Sequence, residues 1–245
     1  MGYFAKNLEK ELNNRSIPVK CIVGKTDAAR ITLEILKYQI VNTRATGFSP
    51  WESVHLFSGV LINNDQKIPI KAYFYNGKVP VWSMDEIEEP CFNTPISVII
   101  KEVASKINRE VFKFSIPDEK VEQLKSEIKT ELEKKNSETF WKVLELGYTN
   151  NTKAMPSLKE YAQSDQDQFF RSCALTAIGT LGAAGEFAFL REQFRVGNFN
   201  DRYMAAKAIG DIGTPEAIKA LQEMKKDDSY GREIGLRYCV DFYVQ

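Results

Sequence analysis

His55 is the only histidine among 245 residues, so acid–base chemistry near neutral pH would centre on it. It sits in an alternating apolar run, Val54 to Ile62. A lone imidazole there reads as a structural hydrogen-bonding group, not a general base. Cys21, Cys91, Cys173 and Cys239 are far apart and include no C-x-x-C. Neither a redox pair nor a zinc site follows from that spacing. Buried free thiols are the expectation, with a Cys21–Cys91 bridge left open because both lie in the first half. Gly24-Lys25-Thr26 has the ending of a phosphate-binding loop, but the opening glycine would fall on Val19. Gly179, Gly182 and Gly185 follow a helical pattern at G-x-x-G-x-x-G spacing, which suits helix capping rather than a dinucleotide turn. These residues therefore assign no catalytic group, no metal ligand set and no cofactor.

The remaining chemistry is that of recognition. Arg171, Arg202 and Arg232 recur at intervals of 31 and 30 residues. They read either as a row of guanidinium groups for a partner or as a ladder tying successive repeats through carboxylates and carbonyls; the ladder is favoured, because the arginine belongs to the repeat. Lys159, Arg191 and Gln222 each follow a recurring leucine by one position. They are expected to form one row of long polar side chains, suited to a partner with acidic or amide groups. A second candidate edge is the acidic run that includes Glu88 and Glu89, beside Trp82; the competing reading is a solvated loop.

Composition narrows the partner. The 33 basic and 33 acidic residues cancel, and the halves divided at Ile116 carry only +3 and −3. Neither has the positive field that phosphate binding needs, so nucleic acid is excluded as an expectation. No apolar run approaches the ~18 residues of a membrane span, so no membrane insertion is expected. The chain as written reads as cytosolic, or as exported if a signal segment once preceded Met1-Gly2. Its length suggests two domains.

The elements that must position these residues differ between the halves. Residues 4–15 read as a helix through Phe4, Leu8 and Leu12. Strands are expected at 17–23, 30–43, 54–62, 68–75 and 111–115, with turns at Asn63-Asn64-Asp65 and Asn76-Gly77. A helix at 95–108 has Thr94 as its expected cap. This makes residues 1–116 a small α+β domain. Residues 117–137 are expected as a charged connecting helix, opened by a Ser115/Asp118 capping box.

From residue 138 to the end the chain repeats itself. FFRSCALTAIGTLG at 169–182 overlays NDRYMAAKAIGDIG at 200–213, pairing Arg171 with Arg202, Ala177 with Ala208 and Gly179 with Gly210. Leu190 then pairs with Leu221, again 31 residues on, and Gly147 and Leu158 mark an earlier copy. A period near 31 with two helical patterns per unit signals a helical solenoid. The run R-Y-M-A-A-K-A-I-G-D-I-G-T-P-E-A-I-K-A-L closely resembles the HEAT-like repeat first associated with phycobilisome-lyase proteins. Arg202, Ala205, Ala206, Ala208, Gly210, Gly213, Pro215 and Leu221 carry the match, whereas Ala184 stands where the earlier copy should have proline. The resemblance implies an all-α stack of three repeats and a closing helix at 138–245. It further implies a protein–protein interaction module or adaptor that docks a partner protein on its concave face. Its alternative implication is a lyase-type protein handling a tetrapyrrole on a partner.

Overall fold

The computed structural model describes residues 2–15, 17–24 and 31–245 and divides into two compact units, Met1–Lys113 and Phe114–Gln245. Lys25, Thr26 and Arg30, which the sequence placed in a loop motif and a strand start, lie outside the described residues.

In the first unit, α1 (Gly2–Asn14) buries Leu8 and Leu12 and stacks Phe4 on Phe57, ring centroids 5.2 Å apart. The expected strand at 17–23 does not form. Side chains of α1 take its backbone groups instead: the Val19 amide donates to Asn13 Oδ1 (3.0 Å) and the Cys21 amide to Glu9 Oε2 (2.8 Å). Three antiparallel strands follow in sequence order: β1 (Ile31–Thr43), β2 (Trp51–Asn63) and β3 (Gln66–Lys78). Asn64, at φ 53°, turns β2 into β3. Asn76-Gly77 is not a turn; the two residues pair with Ser53 and Glu52 inside β3, and the Asn76 amide is held by the Pro90 carbonyl at 2.8 Å.

Helix α2 (Thr94–Ile107) lays Val98, Ile99, Ile100, Val103 and Ile107 into the core, against β2, β3 and α1. Thr94 does not cap it, because helical turns already begin at Glu89; the Thr94 hydroxyl donates to Glu89 Oε1 instead (3.0 Å). The expected last strand at 111–115 is also absent. Asn108–Phe112 prolongs the helix and Lys113, at φ 53°, stops it.

In the second unit, α3 (Asp118–Glu133) is the helix expected as a connector. It packs on α4 (Phe140–Gly147), with Val121 and Ile128 wholly buried, and Lys142 reaches back to Glu127 (2.5 Å) and Glu131 (3.2 Å). The capping box at its start does not form; Pro117 occupies the cap position, and Asp118 accepts from Asn151 at 2.8 Å. The paired helices continue as α5 (Met155–Ala162), α6 (Gln168–Thr180), α7 (Phe187–Val196), α8 (Phe199–Ile212) and α9 (Pro215–Met224). A single turn, α10 (Asp228–Arg232), leads to the closing helix α11 (Ile234–Val244).

The first helices of the pairs, α4, α6, α8 and α11, form one closely packed layer. Glycine makes the close approach possible: a Cβ built on Gly147 would lie 2.5 Å from Ala177 Cα, and one on Gly179 2.5 Å from Ala208 Cα. Each second helix then packs on the first helix of the next pair, α5 on α6 and α7 on α8. Leu158, Leu190 and Leu221 are all fully buried. Between α8 and α9, Gly213 takes the left-handed conformation at φ 65° and the Thr214 hydroxyl caps the Ala217 amide at 3.2 Å.

Candidate interaction surfaces

His55 ties three elements together in the first core. The imidazole is fully buried, with Nδ1 2.9 Å from the Tyr38 hydroxyl and Nε2 2.8 Å from the Cys91 carbonyl. A carbonyl only accepts, so Nε2 carries the proton and Nδ1 accepts from tyrosine. The Ser53 hydroxyl, 3.0 Å from Nε2, donates to the same carbonyl. Burial lowers the histidine pKa, opposed by the Cys91 carbonyl. The ring thus links β1, β2 and the turn before α2 through hydrogen bonds.

All four cysteines are free thiols, including Cys21 and Cys91. Burial pushes the Cys173 and Cys239 thiols well above their ordinary range, with Asp167 and Asp211 respectively adding to the effect. That is the wrong direction for a nucleophile. No cluster of three His, Cys, Asp or Glu side chains suited to a metal occurs among the described residues.

The arginine ladder has two rungs. Arg171 sets Nε and Nη2 each 3.0 Å from Asp201 Oδ2, one repeat on. Arg202 reaches Asp227 Oδ2 at 2.8 Å while its guanidinium lies 4.7 Å from the centre of the Phe194 ring. Burial raises the Asp201 pKa against the pull of Arg171. For Asp227, the Ser229 hydroxyl and then the Ser229 amide and Arg202 lower it, opposed by burial. Arg232 departs from the pattern: it donates to the Asp228 carbonyl of its own turn at 3.1 Å.

Lys159, Arg191 and Gln222 fall on α5, α7 and α9, one on each second helix. Arg191 and Gln222 are exposed, whereas Lys159 is half-buried, 2.7 Å from Glu186 and above the Phe189 ring. Lys159 is thus a third tie between repeats, and the open part of the row is Arg191 with Gln222.

Trp82 is 80% exposed and Glu88 is exposed. Glu89 is exposed as well, its carboxylate accepting from Asn93 (3.1 Å) and Thr94 (3.0 Å) of its own turn. Near Trp82 stand residues that the sequence reading passed over. The loop between β1 and β2 exposes Phe48, and Arg44 joins that loop to the segment after β3 by donating to the carbonyls of Gly47, Ser49 (3.2 Å) and Val81 (3.4 Å). An aromatic residue inside the turn-forming run Thr46-Gly47-Phe48-Ser49-Pro50 is the signal that could have found it.

The model of one family, the PBS lyase HEAT-like repeat, matches residues 201–227, which cover most of α8 and all of α9. No curated protein matches the chain. The chain is thus a small three-stranded antiparallel sheet with flanking helices, followed by a helical region carrying a HEAT-like repeat. No helix among the described residues is long and apolar enough to cross a membrane.

Proposed function

We propose that this protein is a non-enzymatic adaptor that docks a partner protein, with the exposed side of α7 and α9 around Arg191 and Gln222 as one docking surface. The observation that carries this reading is how the reactive groups are spent. The single histidine is buried and neutral, Cys173 and Cys239 are buried thiols, and Arg171, Arg202 and Lys159 are committed to ties between repeats. What the second helices offer to water is long polar side chains that recognise rather than react. Stacked repeats are well suited to that task, because each adds one stripe to an extended surface. The balanced charge argues against nucleic acid as the partner.

The lyase reading rests on the repeat's name and lacks a nucleophile–base pair in the geometry above. One experiment separates the two. The full chain and its Arg191→Glu/Gln222→Glu variant are used as bait for partner proteins, and each is titrated with a tetrapyrrole while absorbance is followed. A protein partner retained by the parent and lost with the variant supports the adaptor. Saturable tetrapyrrole binding without a protein partner supports the lyase. A partner held equally by both baits moves the docking site to the first unit.

A further inference from the structure

We infer that the end of the first unit where the β1–β2 loop meets the segment after β3 is a docking surface for a basic, apolar-anchored segment of a partner protein. The inference rests on the adaptor reading and names the chemistry of the partner. Phe48, Val79, Trp82 and Met84 are 93%, 56%, 80% and 61% exposed; Phe48 lies in the first loop, Val79 and Trp82 in the segment after β3, and Met84 opens the short helical turn that follows. Single exposed apolar side chains are ordinary, but four large ones brought to one end of a sheet mark an interaction site.

The loops that carry them are pinned. Arg44 spans both through three carbonyls. The Thr46 and Ser49 hydroxyls are 2.9 Å apart, and the Thr46 amide donates to the Ser49 hydroxyl at 3.1 Å. On the other side Lys78 donates to the Pro80 carbonyl (2.9 Å), and the Trp82 amide donates to Glu86 Oε2 (3.2 Å). A backbone fixed in advance spares the complex the cost of ordering these loops on binding. Tryptophan and phenylalanine bring large contact area with few rotatable bonds, and methionine adapts to fill the rest.

The rim selects the partner's charge. Residues 44–50 and 78–89 set Arg44 and Lys78 against Asp85, Glu86, Glu88 and Glu89, a net charge of −2, and Lys78 is already paired with Glu86. Asp85 and Glu88 are exposed and, among the described residues, have no ion-pair partner. The unspent charge beside the apolar patch is therefore negative, and lysine or arginine next to apolar anchors is its complement.

The test uses the full chain and two fluorescent peptides of equal length, one of alternating lysine and leucine and one of alternating glutamate and leucine. Binding is read by anisotropy for the parent, for Phe48→Ser/Trp82→Ala, for Asp85→Lys/Glu88→Lys and for Arg191→Glu/Gln222→Glu. The expected result is saturable binding of the lysine peptide alone. It should weaken at least tenfold in each of the first two variants and stay unchanged in the third. Equal binding of both peptides, or lysine-peptide binding that ignores Phe48 and Trp82, overturns the inference. Binding of the glutamate peptide alone, lost with Arg191→Glu/Gln222→Glu, overturns it while leaving the adaptor reading in place. Binding of neither overturns this surface, and the adaptor reading is then decided by the bait experiment. Self-association of the parent that Phe48→Ser/Trp82→Ala abolishes would replace the basic partner with a second copy of this chain.

Discussion

Replacing Gly179 with alanine adds one methyl group where α6 crosses α8. The new Cβ would lie 2.5 Å from Ala208 Cα and 2.8 Å from its Cβ. Carbon atoms in contact prefer about 3.5–4.0 Å, so the helices would have to part by on the order of 1 Å. In an open helix the same change gains ~1 kcal/mol from helix propensity. Overpacking a tight core costs about 1–3 kcal/mol, and the upper part of that range applies because the obstacle is backbone and not a flexible side chain. The net effect is a destabilisation of about 1–2 kcal/mol, with the opposite sign to the propensity effect. Gly147→Ala should behave alike, since its Cβ meets Ala177 Cα at 2.5 Å. Gly185→Ala is the control, with nothing within 4 Å, and should stay within ~0.5 kcal/mol of the parent. Urea unfolding followed by far-UV circular dichroism reads all three. A Gly179→Ala protein as stable as the parent would refute the close-packed layer of first helices.

Three further outcomes follow from the geometry. Leu190→Ala and Leu221→Ala should each cost about 2–5 kcal/mol and resemble one another, since both leucines are fully buried at equivalent positions; unlike losses in urea unfolding would break the repeat register. Arg171→Ala strands the nearly buried Asp201 carboxylate and should cost about 2–4 kcal/mol, and adding Asp201→Asn should recover part of the loss; a double variant no better than the single one in a mutant cycle contradicts the rung. His55 has a folded pKa below its ordinary 6.5, so the fold favours the neutral ring. Its stabilising contribution is complete above that value and is lost as pH falls through the lowered pKa. The urea midpoint of the parent should therefore drop below pH 6.5 more steeply than that of His55→Asn, and parallel curves would refute it.

The second unit was legible because its contacts repeat. Alanine, glycine and leucine recur at 31 residues, and those residues are the ones that touch between helices. The acids that complete the ladder were harder to read. Asp201 and Asp227 stand at different distances from their arginines, and at the end of the stack Arg232 falls back on its own turn. The first unit has no such redundancy. The run at 17–23 has the composition of a strand, but Asn13 and Glu9 reach its amides first. Asn76-Gly77 has turn chemistry, yet the Pro90 carbonyl and the Ser53 and Glu52 pairings hold it inside β3. Phe48 and Arg44 gain meaning only when two loops about thirty residues apart meet, which no local spacing reveals.

If the chain works by holding another protein, site-directed photo-crosslinking captures that partner most directly. A benzoyl-phenylalanine is placed singly at position 82, at position 191 and, as a control, at exposed position 160 of the full chain, and each protein is irradiated in a lysate of the cells it comes from. A discrete protein adduct is expected from 82, from 191 or from both, carrying a basic segment at the crosslinked site when it arises from 82, and none from 160. Irradiation that leaves all three proteins without adducts, while the parent binds a small molecule saturably, would contradict it.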